Sequence, residues 1–348
     1  MRIVVLAGGT STERDVSLVS GKMVYRALKE NGHNAVLLDA FMGYPGEDYD
    51  DVFESDRQWD ETIATIGAEN LDPEGIKRER LGRGFFGPHV LPICQKSDIV
   101  FIALHGANGE DGKVQSVFDL FGIKYTGSNP LGAAISMDKG VSKQLLRERG
   151  IPTPAGLVVR KGHEPPEDSL PAFPIVVKVS NGGSSIGVYI AKSIEEYRES
   201  LPKAYRYGDE VIVEQYISGR EFSVGIIDGN ALPIIEIMPR NGIFDYNEKY
   251  HAGNATEVCP AELSPERIQQ MMRYAEEAYE ALHIDSYARI DVMMDEQWNM
   301  YVLEANVLPG MTPTSLLPQE AAAIGMDFNS LCERLIEVSL RKWEKNRA

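Results

Sequence analysis

The sequence predicts a mixed α/β chain: a parallel sheet at the N-terminal end, then antiparallel α+β units. Three observations predict it. The opening "RIVVLAGG", "DVSLVSGKMVYRALKENG" and "HNAVLLDA" read as strand, helix and strand of one parallel unit. In "FPIVVKVSNGGSSIGVYIA" a glycine-serine loop joins two apolar runs. Near the far end, "YARIDVMMDEQWNMYVLEAN" alternates apolar and polar residues on either side of a turn, as an antiparallel hairpin does.

The elements follow in order. The first helix closes at Gly32, and residues 43–90, polar and dotted with aromatics, read as an insertion that opens on the loop "MGYPGEDYDD". "SDIVFIALHG" resumes the sheet, "GKVQSVFDLFG" is a helix, and "IKYTGSNP" closes a first domain, 1–128. A second, 129–217, begins with the helix "SMDKGVSKQLLRERG" and continues into "IPTPAGLVV", where Pro152 and Pro154 impose extended backbone. It then holds the glycine-serine hairpin, the helix "EEYRESLPKAYRYG" and the strand "EVIVEQYISG". The third, 218–348, holds further strands, the alternating hairpin and a last helix, "LCERLIEVSLRKWEKN".

Composition narrows the partners. A net charge of −17 argues against a nucleic-acid partner and against docking on an anionic membrane. It leaves room for a nucleotide, because local lysines and metal ions reverse the potential within a cleft. Three widely spaced cysteines, Cys94, Cys259 and Cys332, indicate neither a disulfide framework nor a zinc site, and suit a reducing cytoplasm. "MRIVVLAGG" is too short in apolar residues for a signal peptide, and no run reaches membrane-spanning length.

Several loops could meet phosphate. "VVKVSNGGSSIGV" joins two strands and lacks the Gly-Lys-Ser/Thr that opens a helix, yet a glycine hairpin tip can close on phosphates, with Lys178 at the end of the incoming strand. "AGGTSTERDVSL" breaks the Gly-x-Gly-x-x-Gly spacing of a dinucleotide turn, which weakens an oxidoreductase reading, and puts Glu13 at the mouth of the sheet. "LHGANGEDG" sets His105 and Glu110 among glycines at another strand end. Each could equally be an ordinary connection.

The hairpin carries the more telling pattern. Successive side chains of an extended strand point to opposite faces, so Arg289 and Asp291 share one face, while Glu304 and Asn306 share a face with Val302 and leave Tyr301, Leu303 and Ala305 on the other. A solvated polar face is the plain reading. Two acids and an amide beside an arginine also make hard oxygen ligands with an anion-binding fork, the kind of set Mg²⁺ takes together with substrate phosphates.

Taken in order, "GGTSTERDVSLVSG", "LHGANGEDG", "YTGSNPLGAAISMDK", "GGSSIGV", "VEQYISGREF", "FDYNEKY", "ARIDVM" and "EANVLPGMTPTSLLP" resemble the D-alanine–D-alanine ligases, a family of ATP-grasp carboxylate–amine ligases. The resemblance spans nearly the whole chain and implies a three-domain ATP-grasp architecture, with ATP between the sheets of the second and third domains. It implies that Asp291, Glu304 and Asn306 hold two Mg²⁺ (or Mn²⁺) ions and that Arg289 supports the developing oxyanion. Lys139, Lys178 and Lys249, with Ser184 and Ser185 of the loop, match the phosphate side. Glu214, Tyr216 and Ile217 match the adenine connection, and Glu221 the ribose acceptor. Glu13 matches the acceptor for the first alanine's ammonium group, latched to Ser184 and Tyr250. Gly310, Ser315 and Leu316 match the second-alanine side, with His105 near it. Val179, Phe244 and Asp15 depart from the usual proline, tyrosine and glutamate.

The implied activity is peptide-bond formation between two D-alanines through a D-alanyl phosphate, with release of ADP and phosphate for peptidoglycan precursors, in a cytoplasmic homodimer. Ligases that accept D-lactate or D-serine tend to differ around positions 250 and 316. Tyr250 and Leu316 resemble the plain dipeptide type. The competing expectations are an ATP-grasp ligase for another amino-acid or hydroxy-acid pair, and a binding protein without catalysis.

Overall fold

A computed structural model of the chain describes residues 1–55, 59, 84–183, 187–239 and 255–345. The N-terminal sheet is parallel, in the order β2–β1–β3, from β1 (Arg2–Ala7), β2 (Asn34–Asp39) and β3 (Ile99–Ile102). β1 is buried from Ile3 to Ala7, as its unbroken apolar run requires of a strand covered on both faces. Helix α1 (Arg14–Glu30) lies against β1 and β2. It ends where predicted: Gly32, at φ +84°, lets His33 N–H reach back to the Leu28 carbonyl at 3.0 Å. Among the described residues, helices α2 (Val90–Lys96) and α3 (Lys113–Phe121) follow in this part.

The predicted helix beginning "SMDKG" is broken at Asp138. That residue ends α4 (Pro130–Met137) and caps α5 (Lys139–Glu148), its carboxylate accepting from Val141 N–H at 3.1 Å. Next comes an antiparallel sheet in the order β4–β7–β5–β6, from β4 (Gly156–Arg160), β5 (Ile175–Val179), β6 (Val188–Ala191) and β7 (Glu210–Gln215). Helix α6 (Ile194–Ala204) buries Tyr197, Leu201 and Ala204 on it.

The third sheet is also antiparallel, in the order β11–β10–β8–β12–β13. Its strands are β8 (Gly219–Ile227), β10 (Ile235–Pro239), β11 (Ala255–Val258), β12 (Tyr287–Asp295) and β13 (Met300–Asn306), with the short β9 (Asn230–Ala231) paired to β8. Helix α7 (Pro265–Ala281) covers one face, packing Met271, Ala275 and Ala278 with Phe222, Val224, Ile290 and Val292. Ala133 of α4 and Leu146 of α5 join the same core. After α8 (Leu316–Ala322), helix α9 (Phe328–Lys345) returns to the N-terminal sheet, where Leu331, Cys332 and Leu335 share a core with Val24 and Leu28 of α1.

β12 and β13 form the predicted hairpin, but not with uninterrupted alternation. Asp291 pairs with Glu304, whereas its neighbour Val292 pairs with Val302. Leu303 is therefore an extra residue, a β-bulge that reverses the alternation on its far side. Val302 turns into the α7-side core and is 1 % exposed, while Leu303 lines the cleft beside Glu304. The expectation that Val302 shares the face of Glu304 and Asn306 is corrected by this one residue.

Candidate active site

The face of the third sheet opposite α7 looks across at the second sheet, and the gap is a cavity of about 460 Å³. Lys139, Lys178, Glu214, Tyr216, Ile217 and Glu221 line it, together with Asp291 and Glu304. It runs into a second cavity of about 660 Å³ toward the N-terminal sheet, lined by Glu13, His105, Arg289, Asn306, Gly310, Ser315 and Leu316. Gly183, Glu221, Asp291 and Glu304 border both. The sequence-predicted residues that fall among the described ones thus converge on one continuous space. Ser184, Ser185, Lys249 and Tyr250 lie outside the described residues, as does Phe244. Of the other departures, Val179 lines the first cavity and Asp15 the second.

The strand pairing sets the charged wall. Asp291 stands opposite Glu304, and Arg289 opposite Asn306. Arg289 grips Asp291 with two parallel hydrogen bonds, Nε to Oδ1 and Nη2 to Oδ2, each 2.9 Å. Asn306 Nδ2 donates to Asp291 Oδ2 at 3.1 Å. Across the gap, Lys139 Nζ lies 3.2 Å from Glu304 Oε2 and donates to the Gly182 carbonyl at 2.5 Å, tying the glycine loop to β13. The base of that loop is fixed to α5, since Ser180 Oγ donates to Asp138 Oδ1 at 3.0 Å.

Beneath the first cavity lies a buried triad. Glu214 Oε1 is 2.6 Å from Lys178 Nζ, and Oε2 is 2.8 Å from Lys143 Nζ. Lys143 Nζ also donates to Thr153 Oγ1 at 2.9 Å. Burial opposes the charge on Glu214, yet Lys178 and then Lys143 hold its carboxyl below the ordinary value. Burial likewise opposes Lys178, but Glu214 and Glu304 keep its ammonium above the usual range. For Lys143 burial wins, and the ammonium falls to about 8.

The N-terminal end is held by a buried Arg14–Asp39 ion pair. Asp39 also accepts from Phe41 N–H at 2.9 Å and Met42 N–H at 3.0 Å. Gly8, at φ +77°, passes so close to Asp39 that a Cβ would stand 2.4 Å from Oδ2, so the turn leading to Glu13 needs glycine. The Glu13 carboxylate lies against Gly106 and Gly183, where added Cβ atoms would come within 2.6 and 2.9 Å of Oε2. His105 gives Nδ1–H to the Leu308 carbonyl at 3.0 Å and meets Ser20 Oγ with Nε2 at 3.1 Å. Burial lowers its pKa and favours the neutral ring. At the second-cavity rim, Thr312 N–H donates to Ser315 Oγ at 3.1 Å, and Leu316 packs with Ile235 and Ile237.

Three groups at the site had no role in the sequence reading. Glu110 accepts from Gly106 N–H at 2.6 Å, and burial, then the Glu13 charge, pushes its carboxyl up to about 8. Lys143 was legible in principle, since it follows Lys139 by four residues and so shares a helix face with it. Glu320 of α8 is fully buried against Gly225, and burial pushes its carboxyl well above the usual range.

Two antiparallel sheets closing on a cleft with lysines on one side and carboxylates on the other define the ATP-grasp class of ligases. The family descriptions "D-ala D-ala ligase N-terminus" and "D-ala D-ala ligase C-terminus" match residues 2–128 and 145–337. The D-alanine–D-alanine ligase of Pediococcus pentosaceus is 45% identical, over 97% of each chain. That of Lacticaseibacillus casei is 41% identical over 98% of this chain and 96% of its own. A crystal structure of the Bacillus anthracis enzyme complexed with ATP covers 99% of both chains at 32% identity and a TM-score of 0.76. The chain belongs to the D-alanine–D-alanine ligase family.

Proposed function

We propose that the chain joins two molecules of D-alanine at the expense of ATP, supplying the dipeptide for peptidoglycan precursors. A carboxylate is a poor electrophile. Its oxygen therefore first attacks the γ-phosphorus of ATP, releasing ADP and leaving a D-alanyl phosphate. The amine of the second D-alanine then attacks the acyl carbon, loses a proton, and phosphate departs with the bonding pair. One observation carries this reading: Asp291, Glu304 and Gly183 form the common border of a lysine-lined cavity and a cavity holding Glu13 and Ser315. A terminal phosphate in the first and an amino acid in the second meet at that border.

The roles follow from position. Lys139 and Lys178 take phosphate oxygens, with Lys249 and the serines Ser184 and Ser185 as further contributors from the loops. Backbone groups at Glu214, Tyr216 and Ile217 take adenine, and Glu221 takes the ribose. Glu13 receives the first ammonium group, with Ser184 and Tyr250 latching the loop, a reading supported by Gly183 resting on the Glu13 carboxylate. Arg289, held flat by Asp291, stabilises the oxyanion that forms on acyl attack. Gly310, Ser315 and Leu316 seat the second alanine, and apolar Leu316 favours D-alanine there over a charged or strongly polar partner. Among the described residues no three His, Cys, Asp or Glu side chains are grouped to hold a metal by themselves. Two carboxylates and the Asn306 amide suit Mg²⁺ or Mn²⁺ that shares its shell with phosphates. Asp291, Glu304 and Asn306 would hold two such ions, which neutralise phosphate charge during transfer.

The same reading divides the chain at residues 128 and 217 into substrate, loop-bearing and metal-bearing units. It makes the protein a cytoplasmic homodimer without nucleic-acid or membrane partners. Exposed Leu120, Phe121 and Leu131 on adjoining helices α3 and α4 support self-association. Among the described residues no helix is long and apolar enough to cross a membrane. Phosphate release with D-alanine as sole amino acid, with and without Mg²⁺, tests the activity. Mg²⁺-dependent release with D-Ala–D-Ala as the product is expected. Release that ignores D-alanine, or a product found only with another amino or hydroxy acid, contradicts it.

A further inference from the structure

Lys178 meets two demands that conflict. It is assigned to phosphate, yet its ammonium is paired at 2.6 Å with Glu214, a side chain only 3 % exposed. Moving Lys178 to a phosphate takes a counter-charge from a buried carboxylate, and a buried ion pair that loses one partner is strongly destabilised. Lys143, 2 % exposed, stands 2.8 Å from the other carboxylate oxygen and is held there by Thr153. It reaches Glu214 from α5, behind the cavity, and is not among the residues that line it.

We propose that Lys143 is a positioning residue: it keeps Glu214 compensated when Lys178 swings from the carboxylate to the nucleotide's phosphates. The inference rests on the assignment of Lys178 to phosphate. In this arrangement Lys143 touches no ligand. It sets how readily Lys178 is released, and so how much of the binding energy of ATP its phosphates deliver. Without Lys143, Glu214 retains Lys178, and the cavity still accepts the nucleoside but no longer rewards the triphosphate.

Calorimetric titration of Lys143→Met with ATP and with adenosine tests this, beside thermal melting. The affinity ratio of ATP to adenosine is expected to fall on the order of 100-fold, with adenosine affinity nearly unchanged. A purely structural lysine would lower the melting temperature and weaken both ligands alike, which would overturn the proposal. Lys143→Met/Glu214→Gln removes the uncompensated acid and is expected to restore most of the ratio seen in Glu214→Gln alone. A double variant as impaired as Lys143→Met also overturns it. If Lys143→Met does not fold, the comparison of the double variant with Glu214→Gln decides, since an added loss of ATP preference there contradicts the proposal. Lys178→Met separates the two levels. Should it leave the ratio unchanged, the phosphate assignment itself fails; should it lower the ratio while Lys143→Met does not, only the role of Lys143 fails.

Discussion

The two walls of the first cavity carry opposite charge. On the side of the second sheet stand Lys139 and Lys178, with Lys143 behind them; on the side of the third stand Glu221, Asp291 and Glu304. Lys139 and Glu304 meet across the gap at 3.2 Å. In the second cavity the pattern differs, because burial and the like charge of Glu13 act together on Glu110. The difference shows how neighbouring charges and burial move carboxyls in opposite directions within one cleft. Beside Lys178 and Lys143 the Glu214 carboxyl is held below its ordinary value, whereas burial and then the Glu13 charge push the Glu110 carboxyl up. The opposed walls also prefigure the proposed ligands, since phosphate suits the lysines and a divalent cation suits the acids. An ATP–metal complex would replace wall-to-wall attraction with two sets of contacts.

The largest expected effect comes from neutralising the acid wall. Glu304→Gln should lower ADP formation on the order of 1,000-fold while circular dichroism and melting stay close to the parent. Normal turnover in that variant would remove the distinction between the walls. Next comes the like-charge end. Folding raises the Glu110 carboxyl to about 8, so between its unfolded value near 4.5 and about 8 the native state holds a proton that the unfolded chain has lost. That stabilising contribution is full below about 4.5 and disappears as pH rises through about 8, amounting to roughly a few kcal/mol. Glu110→Gln should flatten the decline in melting temperature over this window, and an unchanged pH profile would contradict a Glu110 carboxyl raised by its surroundings, burial first and the Glu13 charge second. The smallest effect concerns the bulge that aims the acid wall. Val302→Thr should cost about 1–2 kcal/mol in urea unfolding, because it places a hydroxyl in the α7-side core. Leu303→Thr, on the cleft side, should cost less than about 0.5 kcal/mol. A reversed order would mean that β13 alternates without the bulge.

Much of the site was legible because its information is local. The run of β1, the stop at Gly32 and the turn between β12 and β13 each rest on neighbouring residues. Asp291, Glu304 and Asn306 stood out because oxygen donors recur in an otherwise apolar hairpin. What escaped depends on distance in the chain. The bulge at Leu303 is a matter of register between two strands, and both apolar neighbours satisfy either pattern. Lys143 reads as an ordinary helix lysine until β7 brings Glu214 beneath it. Glu110 sits in a polar loop, and only the approach of Glu13 and the burial around it give that loop a titrating acid. The amphipathic helix α9 could bury its apolar face on any sheet, and the chain path alone does not say that it returns to α1.

The most direct test is a crystal structure with ATP, Mg²⁺ and D-alanine bound. The account predicts that the Lys139–Glu304 contact opens, with the ammonium on a phosphate oxygen and the carboxylate on a cation beside Asp291 and Asn306. A bound nucleotide that leaves this contact closed, with no metal at those three side chains, would contradict it.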